Sequence, residues 1–294
     1  MVRPMMPVTE SPAPIVADLH THTTCSDGLL RPAELVTKVE RLGLQVLGIA
    51  DHDSVEAHHE LRRHGYNGPL RIVSAIELSC YEHGREIHLL GYDIDIDNES
   101  LLDYTTSKHR ERHDRAVGMV DRLRHFGKLI TMEEVAEQAG GAPIGRPHIA
   151  AVLVKRGYVR SIQQAFDEWL DTSRPAYVPR PIFTVAQGVQ LINHAGGYAS
   201  IAHPMRSFAD PRLFLALIAS GIDGVEVFHP SHFFSTREYY RILAKQHGLL
   251  VTGGSDFHGS REYDERNLGK FGLTQERLDI LLEAFHIRKP SLRS

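Results

Sequence analysis

The segment IVADLHTHTTCSDGLLRPAELVTKVERLGLQVLGIADHDS, residues 15–54, decides the reading of the chain. IVADLH (15–20) is a short apolar run of strand type that ends on a histidine. RPAELVTKVERLG (31–43) follows as a helix, with Pro32 in its first turn and Gly43 as its C-terminal stop. LQVLGIAD (44–51) is the next strand, and it ends on Asp51 and His52. Ser54 is positioned to cap a further helix over VEAHHELRRHG. Strand, helix and strand with a right-handed crossover imply a parallel pair.

The same alternation extends outward. LRIVSAIELSC (70–80) and REIHLLGYDI (85–94) are two β runs joined by a polar turn at His83 and Gly84, as in a hairpin. Between Asn98 and Arg174 the strand-like runs stop and helical periodicity takes over. Val117, Val120, Leu123 and Phe126 recur at three- and four-residue steps, and Thr131 with Glu134 forms a capping box. GYASIAHP, GIDGVEVFHP and GLLVTGGSDFHG then restore the strands, with helices from near Pro211 and Ser235 between them and a last helix over TQERLDILLEAF. The expected organisation is a loose tail (1–14), an α/β body (15–97 and 175–294) with a largely parallel sheet, open or closed, and a helical insertion (98–174).

Composition narrows the function classes. The 294 residues carry a net charge of −4, which argues against non-specific coating of nucleic acid but allows a local basic pocket. Cys25 and Cys80 form no CxxC pair, which fits a reduced cytoplasmic compartment. No apolar run reaches the length of a membrane span. The count of 19 histidines is high, and their placement is informative.

Strand after strand ends on a metal-ligand residue type: His20 and His22, then Asp51 and His52, then Glu77. The next strand carries His88, a later one ends at His203, and the last ends at Asp256 and His258. Parallel α/β folds gather their sites at the C-terminal strand ends, because the sheet holds those loops on one rim. On an extended segment, side chains two apart share a face, so His20 with His22, and Asp256 with His258, can each reach one ion. Asp27, in a Ser-Asp-Gly turn, can fold back over the site. This many N and O ligands suits two or three divalent ions. His58, His59, His64, His83, His109, His113, His125, His247 and His286 are read as polar surface residues.

The successive motifs DLHTHTTCSDG, GIADHDS, SAIELS, EIHLLGY, IAHP and GGSDFHG resemble, in order, those of the PHP (polymerase and histidinol phosphatase) family. With its inserted helices and the GRPH motif at Gly145–His148, the chain is most similar to the branch that cleaves 3′,5′-bisphosphate nucleotides and trims short RNA 5′ ends. The resemblance implies a distorted (β/α)7 barrel with an inserted helical subdomain and a three-ion site. His20, His22, Glu77 and Asp256 would hold one ion. Glu77 would bridge to a second, held also by His88 and His203, and Asp27, His52 and His258 would hold the third. Manganese is the expected metal, with zinc or iron as alternatives.

The catalytic set so expected is His20, Asp27, Glu77 and His203, with His229 as a candidate proton donor to the leaving oxygen. Basic residues crowd the insertion. Arg112 and Arg115, three apart on one helix face, together with Arg146 and His148 of GRPH, are the expected substrate contacts. The expected activity is removal of the 3′-phosphate from a bisphosphate nucleotide, the alternative being 5′→3′ exonuclease action on short RNA. A histidinol-phosphate phosphatase fits the GRPH-bearing insertion less well, and a non-catalytic scaffold or a metal-storage protein fits the full set of strand-end ligands less well. The expected partners are a small nucleotide or short RNA substrate, with no membrane, no stable nucleic-acid complex and a monomeric chain.

Overall fold

The computed structural model describes residues 13–141, 143–204 and 211–288; the expected tail lies outside them up to residue 12. In chain order the elements are β1 (Ile15–Thr21), α1 (Pro32–Arg41), β2 (Val46–Ile49), α2 (Glu56–Arg63), β3 (Arg71–Glu82) and β4 (Arg85–Tyr92). The insertion follows with α3 (Glu99–His125), α4 (Met132–Ala139), α5 (Arg146–Lys155) and α6 (Ile162–Ala165), which runs into a π-helical turn, Phe166–Leu170. The chain then returns through α7 (Val185–His194), β5 (Tyr198–Ile201), α8 (Pro211–Ala219), β6 (Gly224–Phe228), α9 (Phe234–His247) and β7 (Leu250–Gly253). It ends with α10 (Glu262–Asn267), β8 (Leu273–Thr274) and α11 (Gln275–Arg288).

The strands form one sheet in the order β7-β6-β5-β4-β3-β2-β1-β8. It curls into a nearly closed barrel. Past the end of β7, Phe257 bridges Thr21 in parallel register. The Phe257 carbonyl accepts the His22 N–H at 2.8 Å, and the His20 carbonyl accepts the Asp256 N–H at 2.8 Å. Closure depends on Gly254: a Cβ there would lie 2.4 Å from the backbone nitrogen of His20, so a side chain would push β7 off β1.

The distortion lies in β4. The pairs β1–β2–β3 and β5–β6–β7 are parallel, whereas β4 is antiparallel to both β3 and β5. The expected hairpin is present, and its two-residue turn has both His83 and Gly84 at positive φ, 48° and 75°, the type that matches strand twist. Two expectations change as a result. Glu77 sits in the middle of β3 and not at its end, because β3 continues past the rim as one arm of the hairpin. His88 lies in the first half of its strand, but β4 runs backwards, so that half reaches the same rim.

Other local differences have equally plain causes. Val55, not Ser54, is the N-cap of α2, although the Ser54 hydroxyl still accepts the Glu56 N–H at 3.3 Å. In α3 the buried face is Ala116, Met119, Val120 and Leu123. Phe126 is the C-cap of that helix and is 50% exposed. The start of α3 packs Leu101 and Tyr104 into the barrel core, and its later turns enter a separate core with Val135, Ile149, Leu153 and Leu170. One helix of 27 residues, about 40 Å long, therefore anchors the insertion to the barrel. Among the described residues no helix is long and apolar enough to cross a membrane.

Candidate metal centre

Glu77 is the hub. It is fully buried, and its Oε2 lies 3.2 Å from His20 Nε2, 3.3 Å from His22 Nε2 and 3.1 Å from His52 Nδ1. Its Oε1 lies 2.9 Å from His88 Nδ1 and 3.1 Å from His203 Nε2. Asp256 Oδ1 approaches His22 Nε2 at 3.1 Å and His20 Nε2 at 3.5 Å. On the solvent side Asp27 Oδ1 is 3.3 Å from His258 Nε2, and Asp27 Oδ2 is 3.9 Å from His52 Nε2. Three ligand groups emerge: His20, His22, Glu77 and Asp256; His22, Asp27, His52 and His258; and His52, Glu77 and His88. All nine expected ligands thus converge on one pocket. His22 and His52 each take part in two groups, and His203 joins the third through Glu77 and through His88 Nδ1, 3.3 Å away.

The donor set fits divalent cations. His22 Nε2 and His52 Nδ1 face carboxylate oxygens at 3.1–3.3 Å without hydrogen-bond alignment, and His22 Nδ1 is buried without a hydrogen-bond partner among the described residues, an arrangement that suits ligands of a common ion. Tautomers point the same way. His258 donates Nδ1–H to the Asp256 carbonyl at 2.9 Å, and His20 Nδ1 is 3.0 Å from Glu226 Oε1. In each ring the Nε2 lone pair is thereby turned toward the carboxylates. His88 Nδ1 and His203 Nε2, 3.3 Å apart and both beside Glu77 Oε1, are close enough to share one ion.

Electrostatics agree. Burial alone would raise the Glu77 and Asp256 carboxyls, yet the surrounding imidazoles hold both well below the usual carboxylate range. Burial would likewise lower His22 and His88, but Asp256 and Glu77 beside His22, and Glu77 beside His88, push each up to about 10. The cluster holds its carboxylates ionised and calls for positive charge. His203 and Asp256 sit at φ of 24° and 54°, strained conformations of the kind that collect at functional sites.

Several residues act from behind the ligands, and one of them, Glu226, lies outside every motif. Glu226, fully buried, ties two ligands together: Oε1 faces His20, and Oε2 accepts the His203 backbone N–H at 2.7 Å. Asp18 accepts the Ser255 N–H at 2.9 Å and so fixes the loop that leads to Asp256. Asp51 points away from the ligands. It accepts bonds from the Thr23 N–H and hydroxyl, both at 2.7 Å, and from Ser26 at 2.6 Å, which folds the loop bearing Asp27. The signal available for Glu226 was an acid alone within an apolar strand, whereas Asp18 opens the motif DLHTHTTCSDG. His58 is buried, unlike the surface position expected, and its Nε2 lies 2.9 Å from the Ile49 carbonyl. His59 is half-buried, and the side chain of His286 lies outside the described residues.

The ligands open into a cleft of about 660 Å³, whose far wall includes Arg112, Arg146, His148 and Arg180. Arg112 is braced by the buried Asp53 at 2.6 Å. Arg146 lies over the Phe166 ring, 5.4 Å from its centroid, and only 3.4 Å from Asp171. His148 Nδ1 accepts the Gly145 N–H at 3.1 Å, so its Nε2 edge is free for the cleft. Arg115 turns away from the metal side. Its Nε donates to the Val178 carbonyl at 2.7 Å, and it lines a side recess rather than the main cleft. His229 lies on the rim, with Nε2 3.4 Å from Asp256 Oδ2.

Comparison with known proteins decides the family. The PHP domain matches residues 18–177, more than half of the chain. The chain belongs to the PHP family. This PHP protein is 31% identical over 252 residues to the 5′-3′ exoribonuclease Rnm of Escherichia coli, covering 83% of this chain and 85% of that one. It is 30% identical over 257 residues to the 3′,5′-nucleoside bisphosphate phosphatase of Chromobacterium violaceum, at 83% and 88% coverage. A crystal structure from Bifidobacterium adolescentis, described as a metal-dependent phosphoesterase, superposes with a TM-score of 0.75 at 31% identity, over 90% of this chain and 95% of the other. The PHP protein described here is accordingly a metal-dependent phosphoesterase, a hydrolase of phosphoric esters.

Proposed function

We propose that this phosphoesterase removes the 3′-phosphate from 3′,5′-bisphosphate nucleotides and leaves nucleoside 5′-monophosphates. The observation that carries the reading is the two-walled cleft: carboxylates and imidazoles on one side, guanidinium groups on the other. A single phosphate needs only the first wall; a substrate with two phosphates uses both. The bisphosphate phosphatase and exoribonuclease names of its relatives support the same substrate class.

His20, His22, Glu77 and Asp256 would hold one divalent ion, Glu77, His88 and His203 a second, and Asp27, His52 and His258 a third, with manganese the metal expected. When bound, the ions supply positive charge to the phosphoryl oxygens and acidify water. Arg112 and Arg146 orient the second phosphate, and so align the scissile bond for in-line attack. His229 serves the leaving 3′-oxygen. His229 Nδ1 lies 2.7 Å from Ser231 Oγ and Nε2 3.4 Å from Asp256 Oδ2, and it is as an imidazolium, with a proton on each nitrogen, that the ring can give one up. Water oxygen bonds to phosphorus and loses a proton to solvent, the P–O3′ bond breaks, and the leaving oxygen takes a proton from the His229 imidazolium, which solvent then restores.

A second reading, 5′→3′ exonuclease action on short RNA, is favoured by one feature. Past Asp27, Pro143 and His148 the cleft continues into a second cavity of about 820 Å³, space for a nucleoside beyond the scissile phosphate. Manganese-supplied enzyme is to be given adenosine 3′,5′-bisphosphate and a 5′-phosphorylated short RNA side by side. Faster release of phosphate and adenosine 5′-monophosphate supports the first reading. Faster stepwise loss of nucleotides supports the second, and no turnover of either removes both.

A further inference from the structure

We infer that Arg180, on the segment that leads from the insertion back to the barrel, is the residue that selects substrates carrying a second phosphate, and that Glu86 holds it ready. The inference rests on the bisphosphate reading above and names a residue outside the motifs.

The cleft's arginines differ in how they are occupied. Arg112 is held by one bond to the buried Asp53, which also accepts the Tyr104 hydroxyl at 2.7 Å, so its direction is set from the wall side and its other N–H groups remain for the orienting role given above. Arg115 is committed to the Val178 carbonyl and to the Tyr177 ring, 5.4 Å from the ring centroid. Arg180 lines both the main cleft and the recess that contains Arg112, Arg115 and Arg146. Among the described residues its hydrogen bond is from Nη1 to Glu86 Oε1 at 2.6 Å. A guanidinium has five N–H donors in a planar fork, so Arg180 keeps an edge for a phosphate while Glu86 fixes its direction.

Charge and position favour the same residue. Four guanidinium groups meet here, and the carboxylates set against them are Asp53, Asp171 and Glu86, which leaves the recess net positive. Burial, with Arg180 and Arg146 close by, lowers Arg115 to about 10, in keeping with cations that lack enough counter-charge. Glu86 stands on β4 two residues before the ligand His88, and Glu86 Oε1 is 3.9 Å from His88 Nε2. The fork of Arg180 is therefore one carboxylate away from the metal centre. A ribose with a phosphate at each end can span that gap. The segment is held in place where the Phe183 carbonyl accepts the Tyr81 N–H at 2.7 Å. Nearby, the first turn of α5 presents its N-terminus at Gly145 to the same cleft, a setting favourable to anions.

The test compares adenosine 3′,5′-bisphosphate with adenosine 3′-monophosphate on manganese-supplied wild type, Arg180→Gln and Arg180→Lys. Wild type is expected to prefer the bisphosphate. Losing a charge-assisted contact to phosphate should raise KM for the bisphosphate about 10- to 100-fold in Arg180→Gln, with kcat changed by less than about 3-fold. Hydrolysis of the monophosphate should be unchanged, and Arg180→Lys should fall between, since lysine keeps the charge and loses the fork. Equal losses on both substrates would mean a structural role, and an unchanged KM for the bisphosphate would mean no role; either overturns the inference while the bisphosphate reading stands. A wild type that does not prefer the bisphosphate overturns that reading, and the inference with it.

Discussion

The two walls of the cleft are built on different principles. The metal-ligand wall comes from strand ends, the residues just past them and the β3–β4 hairpin, where barrel closure sets the backbone positions, and its side chains run from fully buried Glu77 to Asp27 on the solvent side. The basic wall comes from a long helix, a helix start and a connecting segment, and its arginines reach the cleft on flexible stems. The first wall is fixed by register and the second by which carboxylate braces each arginine. Substitutions in the two walls should therefore fail differently: the first by losing metal, the second by losing stability or substrate selection.

The largest effect is expected at Glu77. Glu77→Gln removes the charge that faces His20, His22, His52, His88 and His203, and kcat should fall by at least about 10³-fold. Bound metal, measured by elemental analysis, should fall with it. A variant that keeps full metal content and activity would break the assignment of Glu77 as hub. Chelation of wild type should reproduce the loss of activity, and added manganese should restore it.

Next comes Glu226, which no motif marks. Glu226→Gln cannot accept from both His20 Nδ1 and the His203 N–H in the same way, because one of its two positions becomes a donor. Metal affinity, read by calorimetric titration, should drop about 10- to 100-fold, the usual scale for a carboxylate that orients a ligand. If affinity stays at the wild-type level, the orientation of His20 does not depend on this carboxylate.

These residues show what the sequence discloses and why. His20, His22, Asp27, His52, His203, Asp256 and His258 were legible because a strand end followed by a ligand type is a local pattern. Glu77 and His88 were legible as ligands, but the direction of β4 was not. A hairpin reads the same whether it lies in a parallel barrel or turns one strand against it. Glu226 was hidden because one acid in an apolar run has no periodicity, and Asp18 was in view at the head of the first motif but its hold on the Asp256 loop was not. On the basic wall Arg112 and Arg146 were legible as a charge cluster. Arg115 was misplaced because shared helix face does not fix where a long side chain ends. Arg180 was hidden because it becomes part of the wall only through the fold.

Arg112 tests the second wall directly. Arg112→Met leaves the Asp53 carboxylate buried beside Tyr104 without its cation, and should destabilise the protein by about 3 kcal/mol. Burial opposes ionisation of Asp53, but Arg112 holds its carboxyl well below the usual range. A carboxyl with a lowered folded value adds stability that is full above its unfolded value, near 4, and is lost as pH falls beneath it. The gap between wild type and variant, measured by denaturant titration, should be widest above about pH 5 and should narrow toward pH 3. A gap that stays constant with pH would remove the pair from the account.

The smallest effect sharpens the contrast most finely, because it touches neither wall. Thr131 accepts the Glu134 N–H at 3.3 Å, while Glu134 accepts the Thr131 N–H at 2.9 Å, closing the start of α4. Thr131→Ala should cost about 1 kcal/mol. Where that cost appears depends on how the insertion is tied to the barrel. The insertion core, with Val135 and Leu153, is distinct from the barrel cores, and α3 is the long element shared between them. If α3 lets the insertion open as a unit of its own, hydrogen exchange should quicken over α4 and α5 and stay unchanged in β1 and β6. The basic wall would then loosen without disturbing the ligands, and KM would rise while metal affinity held. Faster exchange in β1 and β6 as well would mean that the two walls share one cooperative unit, and the difference between them would be one of side chains alone.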